Sequence, residues 1–380
     1  MVPGTPLRRA AVALLMVAST IIASMSFAAA GYAGTSKNDF SPRMLVRVGS
    51  SPVVYLLGYV PCRQIHCLRL LRTDNNGTSF ATRRPPPTAA ITSSIAGSLE
   101  QLVFANASVG YALESEYGVT TLYATYDGAR TWQKMSSPAG HDLTRIAVSS
   151  NTLYGVIMHC AKQSNGNVGC TKYRLVHTSL AVKRWSSSAI PNGRSYPWGF
   201  LGNVAAFGSH VWLTEGAKWS MLVSSGNHGI SFTTSTPTFP ALGSVAGCNL
   251  TATSTSGLWA ACPTGMEVSF AFSSDGGAQW NEVPTQQFMG TGGGYFDPVS
   301  STLAYLDYGG SRGLYRVSDA GRDMTKVGSL QCSTVNSSVG AIAFTTPRSG
   351  LAICSPQGLW NSGRLEQTTD GGVTWSRINP

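Results

Sequence analysis

The chain has little charge and, beyond its N-terminus, no long apolar run. Only 12% of its 380 residues are Asp, Glu, Lys or Arg, and none of them form a block of like charge. Its hydrophobic content of 43% excludes a disordered chain, and no later apolar run reaches the ~18 residues of a membrane-spanning helix. Few charges and 42 glycines suit many short strands and turns better than long surface helices. We therefore expect an all-β fold.

Sites for metals and cofactors are also missing from the sequence. There is no CxxC pair, and the six histidines are scattered, whereas a zinc site needs closely spaced Cys and His ligands. The glycine-rich GTGGGYF segment at 290–296 is not followed by a helical pattern, so it does not predict a phosphate loop. The sequence predicts no cofactor and no metal.

The first thirty residues have the composition of a secretory signal peptide. Arg8 and Arg9 precede a long apolar stretch, and Ala28 and Ala30 offer cleavage sites of the A-x-A kind. An uncleaved membrane anchor is the alternative, and the two arginines also allow twin-arginine export instead of the general secretory route. We expect a leader at 1–30, a linker at 31–42 and one domain at 43–380. Cleavage would leave 25 basic and 17 acidic residues, a net charge of +8 that favours anionic partners.

All eight cysteines follow the leader, and an even number in an exported chain predicts disulfides. Sequence proximity divides them into four local pairs. These pairs are Cys62 with Cys67, Cys160 with Cys170, Cys248 with Cys262, and Cys332 with Cys354.

A turn motif recurs along the whole chain after the leader. Five copies are clear: TDNNGTSF at 73–80, TYDGARTW at 125–132, SGNHGISF at 225–232, SSDGGAQW at 273–280 and TTDGGVTW at 368–375. Two eroded copies, TSLAVKRW at 178–185 and VSDAGRDM at 317–324, fill the gaps. The third position falls at Asn75, Asp127, Leu180, Asn227, Asp275, Asp319 and Asp370. Seven copies at intervals of 44 to 53 residues predict a repeat architecture.

Each repeat also reads as four short strands. An Asp or Asn in the turn can accept backbone N–H groups, and Gly supplies a positive φ at low steric cost. Between turns the sequence alternates with the two-residue period of half-buried strands. Seven four-stranded antiparallel units arranged radially predict a seven-bladed β-propeller.

On these turns the chain resembles the BNR or Asp-box repeat family of β-propellers. That family includes bacterial sialidases, sortilin-like receptors, xyloglucanase-like glycosidases and the photosystem II assembly factor of the thylakoid lumen. The resemblance implies that the motif joins the third and fourth strands of each blade and is structural, so its aspartates are poor catalytic candidates. The departures at Leu180 and Met324 put blades 3 and 6 in most doubt.

The loops opposite the motif turns are longer and carry the predicted binding residues. We expect this face to be basic and to bind a protein or an anionic glycan such as a cell-wall polymer. The predicted ligand-binding residues are Arg63, Arg83, Arg84, Arg194, Tyr196, Trp198, Lys218 and Trp219. Solvated arginines without a ligand are the alternative. A monomer that does not bind nucleic acid is expected.

A sialidase-like glycoside hydrolase is the alternative function. The resemblance would then demand an arginine triad, a tyrosine with a glutamate, and an acidic residue. The segment FSPRMLVRV, with Arg43 and Arg47, lacks the FRIP-like motif of those enzymes. Glu114, Glu116, Glu215 and Asp307, with Tyr308, are the carboxylates and tyrosine that could approach the axis. The sequence favours a binding or assembly module over an enzyme, and fold alone does not transfer chemistry.

Overall fold

The structure is a computed structural model, and it describes most of the chain after residue 39. The described residues are 40–62, 65–87, 98–116, 119–138, 143–162, 168–180, 184–191, 201–215, 221–236, 248–264, 267–284, 295–307, 313–330, 332, 337–356 and 363–380. The predicted leader lies outside them. Among the described residues, no helix is long and apolar enough to cross a membrane.

The described residues form seven antiparallel sheets of four strands each, and each sheet consists of four consecutive strands. In blades 1 and 2 the strands are β1 (Ser41–Arg47), β2 (Val54–Cys62), β3 (Ile65–Thr73), β4 (Ala81–Arg83), β5 (Ser98–Phe104), β6 (Gly110–Glu116), β7 (Val119–Thr125) and β8 (Gln133–Met135). Blades 3 and 4 consist of β9 (Leu143–Ser149), β10 (Thr152–Lys162), β11 (Val168–Ser179), β12 (Ser186–Ala189), β13 (Leu201–Phe207), β14 (His210–Glu215), β15 (Met221–Ser225) and β16 (Thr233–Ser235). Blade 5 consists of β17 (Asn249–Ala252), β18 (Leu258–Thr264), β19 (Glu267–Ser273) and β20 (Asn281–Glu282). Blades 6 and 7 consist of β21 (Tyr295–Pro298), β22 (Ala304–Asp307), β23 (Leu314–Ser318), β24 (Asp323–Gly328), β25 (Ser337–Phe344), β26 (Gly350–Pro356), β27 (Arg364–Thr368) and β28 (Ser376–Ile378).

The seven sheets form a ring, which is the expected seven-bladed β-propeller. The first strand of each blade is innermost, and β1 contacts β25 where the ring closes. Blade-to-blade packing forms the core because both faces of a blade are buried. In β6, Ala112 packs with Tyr55 of blade 1, whereas Tyr111 and Leu113 pack with Leu153 of blade 3. The alternation of a strand therefore places successive side chains against different neighbours.

The motif turns lie between the third and fourth strands. In blade 7, the Thr368 hydroxyl donates to Asp370 Oδ1 (2.8 Å) and accepts the Gly372 N–H (2.9 Å). Asp370 Oδ1 accepts the Thr374 N–H (3.0 Å), and Oδ2 accepts the Thr374 hydroxyl (2.6 Å). Asn75 and Asn227 accept the equivalent N–H groups in blades 1 and 4. An amide oxygen thus replaces the carboxylate oxygen as acceptor.

Glycine in these turns meets a steric as well as a conformational requirement. Gly277 has φ +101°, and a Cβ built there would lie 2.2 Å from Cδ2 of Leu222 in the preceding blade. In blade 2 the equivalent residue is Ala129, which keeps a positive φ of 64° and is buried. The motif turn therefore brings the backbone of one blade against the third strand of the blade before it.

The two eroded turns differ from the other five. In blade 3, Leu180 provides no side-chain acceptor and is instead partly buried in the core between blades 2 and 3. In blade 6, Val317 replaces the initial hydroxyl residue, and a short 3-10 turn at Asp319–Gly321 leads directly into β24. Asp319 there forms an exposed ion pair with Arg322 (3.7 Å).

Three of the four predicted cysteine pairs are bonded. They are Cys62–Cys67, Cys248–Cys262 and Cys332–Cys354, with Cα–Cα distances of 5.7, 4.1 and 5.1 Å. Cys160 and Cys170 are Cα partners across β10 and β11, and their side chains lie outside the described part. Three disulfides indicate an oxidising compartment.

A second repeated feature, which the motif search did not find, occupies one position of the second strand in each blade. In blade 1, for example, the first motif residue Thr73 pairs with Val54, and the position in question is the next residue, Tyr55. The residues at this position in blades 1 to 7 are Tyr55, Tyr111, Tyr154, Trp212, Trp259, Tyr305 and Leu351. All seven are buried. Most of the aromatic members donate a hydrogen bond to a turn of the next blade, as Tyr305 does to Pro347 O (2.6 Å) and Trp259 to Ser300 O (2.9 Å). We call this the interblade aromatic position.

The ring closes between blades 7 and 1 without a shared strand and with Leu351 at the interblade aromatic position. Leu351 cannot donate the hydrogen bond that most aromatic residues at this position make, and Asn76 provides other hydrogen bonds across the seam. Its backbone oxygen accepts Gln367 Nε2 (2.6 Å), and its side-chain oxygen accepts the Thr345 hydroxyl (3.1 Å). An apolar cluster that includes Val54, Leu351 and Ile353 fills the same seam.

Arg47 adds a polar contact on the inner side of this seam. Its guanidinium donates to Phe344 O in blade 7 (3.1 Å) and to Pro298 O in blade 6. It also pairs with buried Asp297 at 3.4 Å, and Asp297 accepts the Phe344 N–H. Burial raises the pKa of Asp297, and the Arg47 charge opposes that rise. One arginine of the first inner strand therefore connects blades 1, 6 and 7.

Candidate binding surface

Only two of the eight predicted ligand-binding residues belong to the described part of the chain. These are Arg83 and Arg84; Arg63, Arg194, Tyr196, Trp198, Lys218 and Trp219 lie outside it, as does Tyr308. The side chains of Glu116 and Glu215 lie outside it as well.

Arg83 and Arg84 do not lie on the loop face opposite the motif turns, where the sequence analysis placed them. Arg83 pairs with Leu70 in the middle of β3, and the Arg84 N–H donates to Ala129 O of the blade 2 motif turn (2.9 Å). The Arg84 carbonyl accepts the indole N–H of Trp132 (2.8 Å). The reason is that β4 begins beside the blade 1 motif turn and has only three residues, too few to cross the sheet to its other end.

The candidate catalytic carboxylates that the structure describes are buried. Glu114 is 5% exposed and Asp307 is 2% exposed. Burial raises the pKa of nearby Tyr295, with the Asp307 charge adding to the rise and Arg43 opposing it. Arg43 also lies over the ring of Tyr59, 5.6 Å from its centroid. Asp307 and Arg43 thus both lie close to Tyr295, and neither Glu114 nor Asp307 is open to a bulky substrate.

The central channel contains a cavity of about 550 Å³ at the end where the inner strands lead into their turns. Apolar and small side chains from six blades line it, among them Phe104, Val148 and Phe207. Arg47 is the charged residue of this lining, and its guanidinium is already engaged by Asp297 and two carbonyls. The cavity therefore offers little charge to a ligand.

The positive charge of the chain is concentrated in one sector of the ring. Residues 143–214 include none of the 17 acidic residues and seven of the 27 basic ones, so this stretch carries +7 of the formal +10. The stretch covers blade 3 and nearly all of β13 and β14 in blade 4. We call it the basic sector. In the sequence, the basic sector is marked by a run of 72 residues without Asp or Glu. A search for short motifs and basic loop residues does not detect a feature of that length.

Three arginines of the basic sector have described side chains. Arg174 is exposed on β11, where Nε donates to the Ser187 hydroxyl (2.6 Å). Arg184 is exposed just before β12, and Arg145 is partly buried on β9 with a hydrogen bond to Thr144 O (2.8 Å). No ion pair among the described residues includes any of the three. Exposed guanidinium groups without a carboxylate partner suit an acidic ligand.

Two histidines and a tyrosine lie where blades 3 and 4 meet, with His177 and Tyr154 in the basic sector and His228 in the adjoining blade 4 motif turn. The Tyr154 hydroxyl is 2.5 Å from Nδ1 of His228 in the blade 4 motif turn, and the His177 ring centroid is 6.2 Å from that of His228. Burial, together with the charge of His228, lowers the pKa of His177. The lowered pKa of His177 reduces the positive charge that this side chain adds to the sector at neutral pH.

Comparison with known proteins supports the fold. No protein-family model matches the chain, and no curated protein matches it. It is similar to YCF48 from Cyanidioschyzon merolae, at 14% identity over 77% of this chain and 86% of that one, with a TM-score of 0.50. YCF48 bound to D1 peptide gives 14% identity over 77% and 82% of the two chains and a TM-score of 0.51. Virginiamycin B lyase from Staphylococcus aureus with quinupristin gives 12% identity over 88% and 97% and a TM-score of 0.50. At these identities the likeness establishes a β-propeller.

Proposed function

We propose that the chain is an extracytoplasmic protein-binding module whose basic sector holds an acidic segment of a partner protein. The observation that carries this proposal is the run from 143 to 214, in which seven basic residues stand without a single carboxylate. Charge of one sign concentrated on one surface accelerates encounter with an oppositely charged partner and selects against basic ones.

Three further observations support the proposal. The disulfides fit an exported protein, in agreement with the leader predicted at 1–30. One structure with this fold is described as bound to a peptide. The two described carboxylates considered for hydrolysis are buried, which favours binding over catalysis.

The hydroxyl and Asx hydrogen bonds of the five clear turns support assignment to the BNR or Asp-box repeat group.

The experiment uses the purified full chain and a fluorescein-labelled decapeptide of alternating Glu and Thr. We expect fluorescence anisotropy to show binding that weakens as salt is raised from 20 to 200 mM, because exposed charge pairs are screened over about 10 Å. The double variant Arg174→Gln, Arg184→Gln should bind at least fivefold more weakly. The matched control Arg130→Gln, Arg377→Gln removes two exposed arginines from blades 2 and 7 and should bind as the unmodified chain does.

Equal losses in the two double variants would show that only net charge matters, and the proposed sector would be wrong. Binding of an anionic polysaccharide such as hyaluronan in preference to the decapeptide would assign the sector to a glycan instead. Absence of binding to the peptide at 20 mM salt would remove the proposal for acidic protein segments.

A further inference from the structure

The cavity at the turn end of the central channel lies among turns that the structure describes. Every turn from a first to a second strand, from 48–53 in blade 1 to 345–349 in blade 7, belongs to the described residues. The cavity volume of about 550 Å³ is within the range of roughly 300–1,000 Å³ of small-molecule pockets. Such pockets combine an apolar wall with a few polar groups. We call this space the channel cavity.

The wall of the channel cavity is largely apolar. Val46, Val103 and Val148 line it from the inner strands of blades 1, 2 and 3 and are half-buried. Phe207 ends the inner strand of blade 4 and is 41% exposed. Among the described aromatic residues, only Phe207 and Tyr295 are exposed. The open ring of Phe207 therefore provides a flat apolar surface for the C–H groups of a ligand.

Three hydroxyl groups in the lining of the channel cavity are open to a ligand. They belong to Ser50, Ser150 and Thr251, which come from blades 1, 3 and 5 and are all exposed. Within the described part of the chain, none of the three hydroxyls forms a hydrogen bond. Because each hydroxyl can both donate and accept, the cavity suits a ligand that itself has several hydroxyl groups.

Ser150 keeps its side chain in a backbone conformation that suits glycine better. It begins the two-residue turn of blade 3 after Ser149 and has a φ of +49°. The equivalent residue of the two-residue turn in blade 4 is Gly208, with a φ of +60°. An L-residue in this conformation costs free energy that glycine avoids. Because the Ser150 hydroxyl has no partner in the described part of the chain, the turn itself does not account for a serine here.

The lining disfavours both charged and purely apolar ligands. Its described residues include no Asp or Glu, and its one cation, Arg47, is engaged by Asp297 and two carbonyl oxygens. A charged ligand would therefore lose hydration without gaining a counter-ion. A purely apolar ligand would cover the three hydroxyls and leave them without partners, which also costs free energy. Neutral sugars meet both conditions, because they combine uncharged hydroxyl groups with an apolar C–H face.

We infer that the channel cavity binds a neutral mono- or disaccharide. The apolar face of a sugar ring packs on Phe207, and its hydroxyl groups bond to Ser50, Ser150 and Thr251. The three described arginines of the basic sector do not line the cavity, so this inference does not depend on the proposed function.

Saturation-transfer difference NMR on the full chain, with its disulfides intact, tests the inference. Glucose, maltose and cellobiose are the neutral probes, and we expect saturation transfer from the protein to at least one of them. Glucuronic acid, in which a carboxylate replaces the primary alcohol of glucose, should receive much less. Absence of transfer to all three neutral sugars would overturn the inference, as would transfer to glucuronic acid as strong as that to the best neutral sugar.

Two variants test whether the sugar lies in the channel cavity. Phe207→Ala removes the exposed ring and should weaken binding at least fivefold. The matched control is Ile230→Ala, which shortens another exposed apolar side chain of blade 4 outside the cavity and should leave binding unchanged. Ser150→Gly should also weaken binding at least fivefold while the protein stays as stable in urea, because glycine suits the positive φ. Unchanged affinity in both Phe207→Ala and Ser150→Gly would overturn the channel cavity as the site.

The double variant Arg174→Gln, Arg184→Gln separates this inference from the proposed function. We expect it to lose the acidic peptide and to keep the sugar. Unchanged peptide binding with sugar binding intact would overturn the proposed function alone. Sugar binding that is lost in this double variant but kept in Phe207→Ala would overturn the channel cavity as the site and leave the basic sector in place.

Discussion

In the five clear motif turns, the hydroxyl of the first residue bonds to both ends of the turn. Thr368 donates to the Asp370 carboxylate and accepts the Gly372 N–H, and Thr125 does the same with Asp127 and Ala129. These hydroxyl residues are buried, while the Asx side chains beside them are more open. Burying a hydroxyl without such partners costs free energy. In blade 6, where the turn is shorter and lacks these partners, apolar Val317 takes the place of the hydroxyl residue.

The motif carboxylates make the fold sensitive to acid. Hydrogen bonds from the side chain and the backbone of Thr131 lower the pKa of Asp127 to about 2, and those from Thr374 do the same for Asp370. Because the folded pKa lies below the unfolded one, their stabilisation is complete above about pH 4 and is lost as the pH falls through about 2. We expect the double variant Asp127→Asn, Asp370→Asn to lose less unfolding free energy than the unmodified chain between pH 4 and pH 2 in urea titrations. An identical loss in the two proteins would contradict this assignment.

Replacing Gly277 by alanine should destabilise the ring by about 2–4 kcal/mol. The positive φ costs about 1–2 kcal/mol for an L-residue, and the new Cβ would collide with Leu222 in the preceding blade. The reverse change, Ala129→Gly, is the matched control and should alter the unfolding free energy by less than about 1 kcal/mol. There, relief of the backbone offsets the lost methyl burial. Urea unfolding at pH 7 measures the two changes, and equal effects would show that φ does not decide them.

At the scale of the strand, the interblade aromatic position explains how neighbouring blades stay in register. Tyr305 stacks on Phe344 of blade 7, with 3.5 Å between ring centroids, and its hydroxyl reaches Pro347 O. Tyr55 makes the same arrangement with Phe104 and Ala107 O between blades 1 and 2. One side chain therefore combines an apolar contact with a hydrogen bond.

The two contributions of Tyr305 can be separated by substitution. Tyr305→Phe removes only the hydrogen bond and should cost about 1 kcal/mol, because the Pro347 carbonyl loses its partner. Tyr305→Leu, which copies Leu351, also removes the ring and should cost about 3 kcal/mol or more. Thermal and urea unfolding would measure the series. A phenylalanine variant as unstable as the leucine variant would mean that stacking contributes nothing.

The sequence predicts the blades well because each motif turn is local. Seven turns and the alternation between them were enough to predict seven blades of four strands, and the eroded turns at Leu180 and Met324 were identified as the atypical ones. The interblade aromatic residues escaped notice because hairpin loops of different length separate them from the motif, by 14 residues for Tyr305 and 26 for Tyr154. The position of Arg84 was wrong because the length of β4 depends on contacts with blade 2 that no local pattern encodes.

The whole molecule depends on how its first and last blades meet. All four strands of blade 1 and all four of blade 7 come from separate segments, so backbone pairing does not join them. Beside the hydrogen bonds of Asn76, Arg47 supplies a charged contact at that junction, and it pairs there with buried Asp297 of blade 6.

Removing one partner of this pair should be far more damaging than removing both. Arg47→Met leaves Asp297 buried without a counter-charge and should cost about 3–5 kcal/mol, whereas Arg47→Met with Asp297→Asn should recover at least part of that loss. A double-mutant cycle in urea gives the coupling energy. The same cycle at Arg72 and Asp74, where the carboxylate is exposed, is the control and should give less than about 1 kcal/mol. Additive losses at Arg47 and Asp297 would show that they do not act as a pair.

Because every blade is one uninterrupted stretch of chain, the blade at which the chain starts can change without altering the fold. A gene rearranged so that translation starts at another blade, with Pro380 linked to Phe40 by a short spacer, would still encode seven intact sheets. Duplication or loss of a single repeat likewise adds or removes a whole sheet without splitting any other. Such a molecule can change its number of blades, or specialise one of them, while the remainder keep their packing.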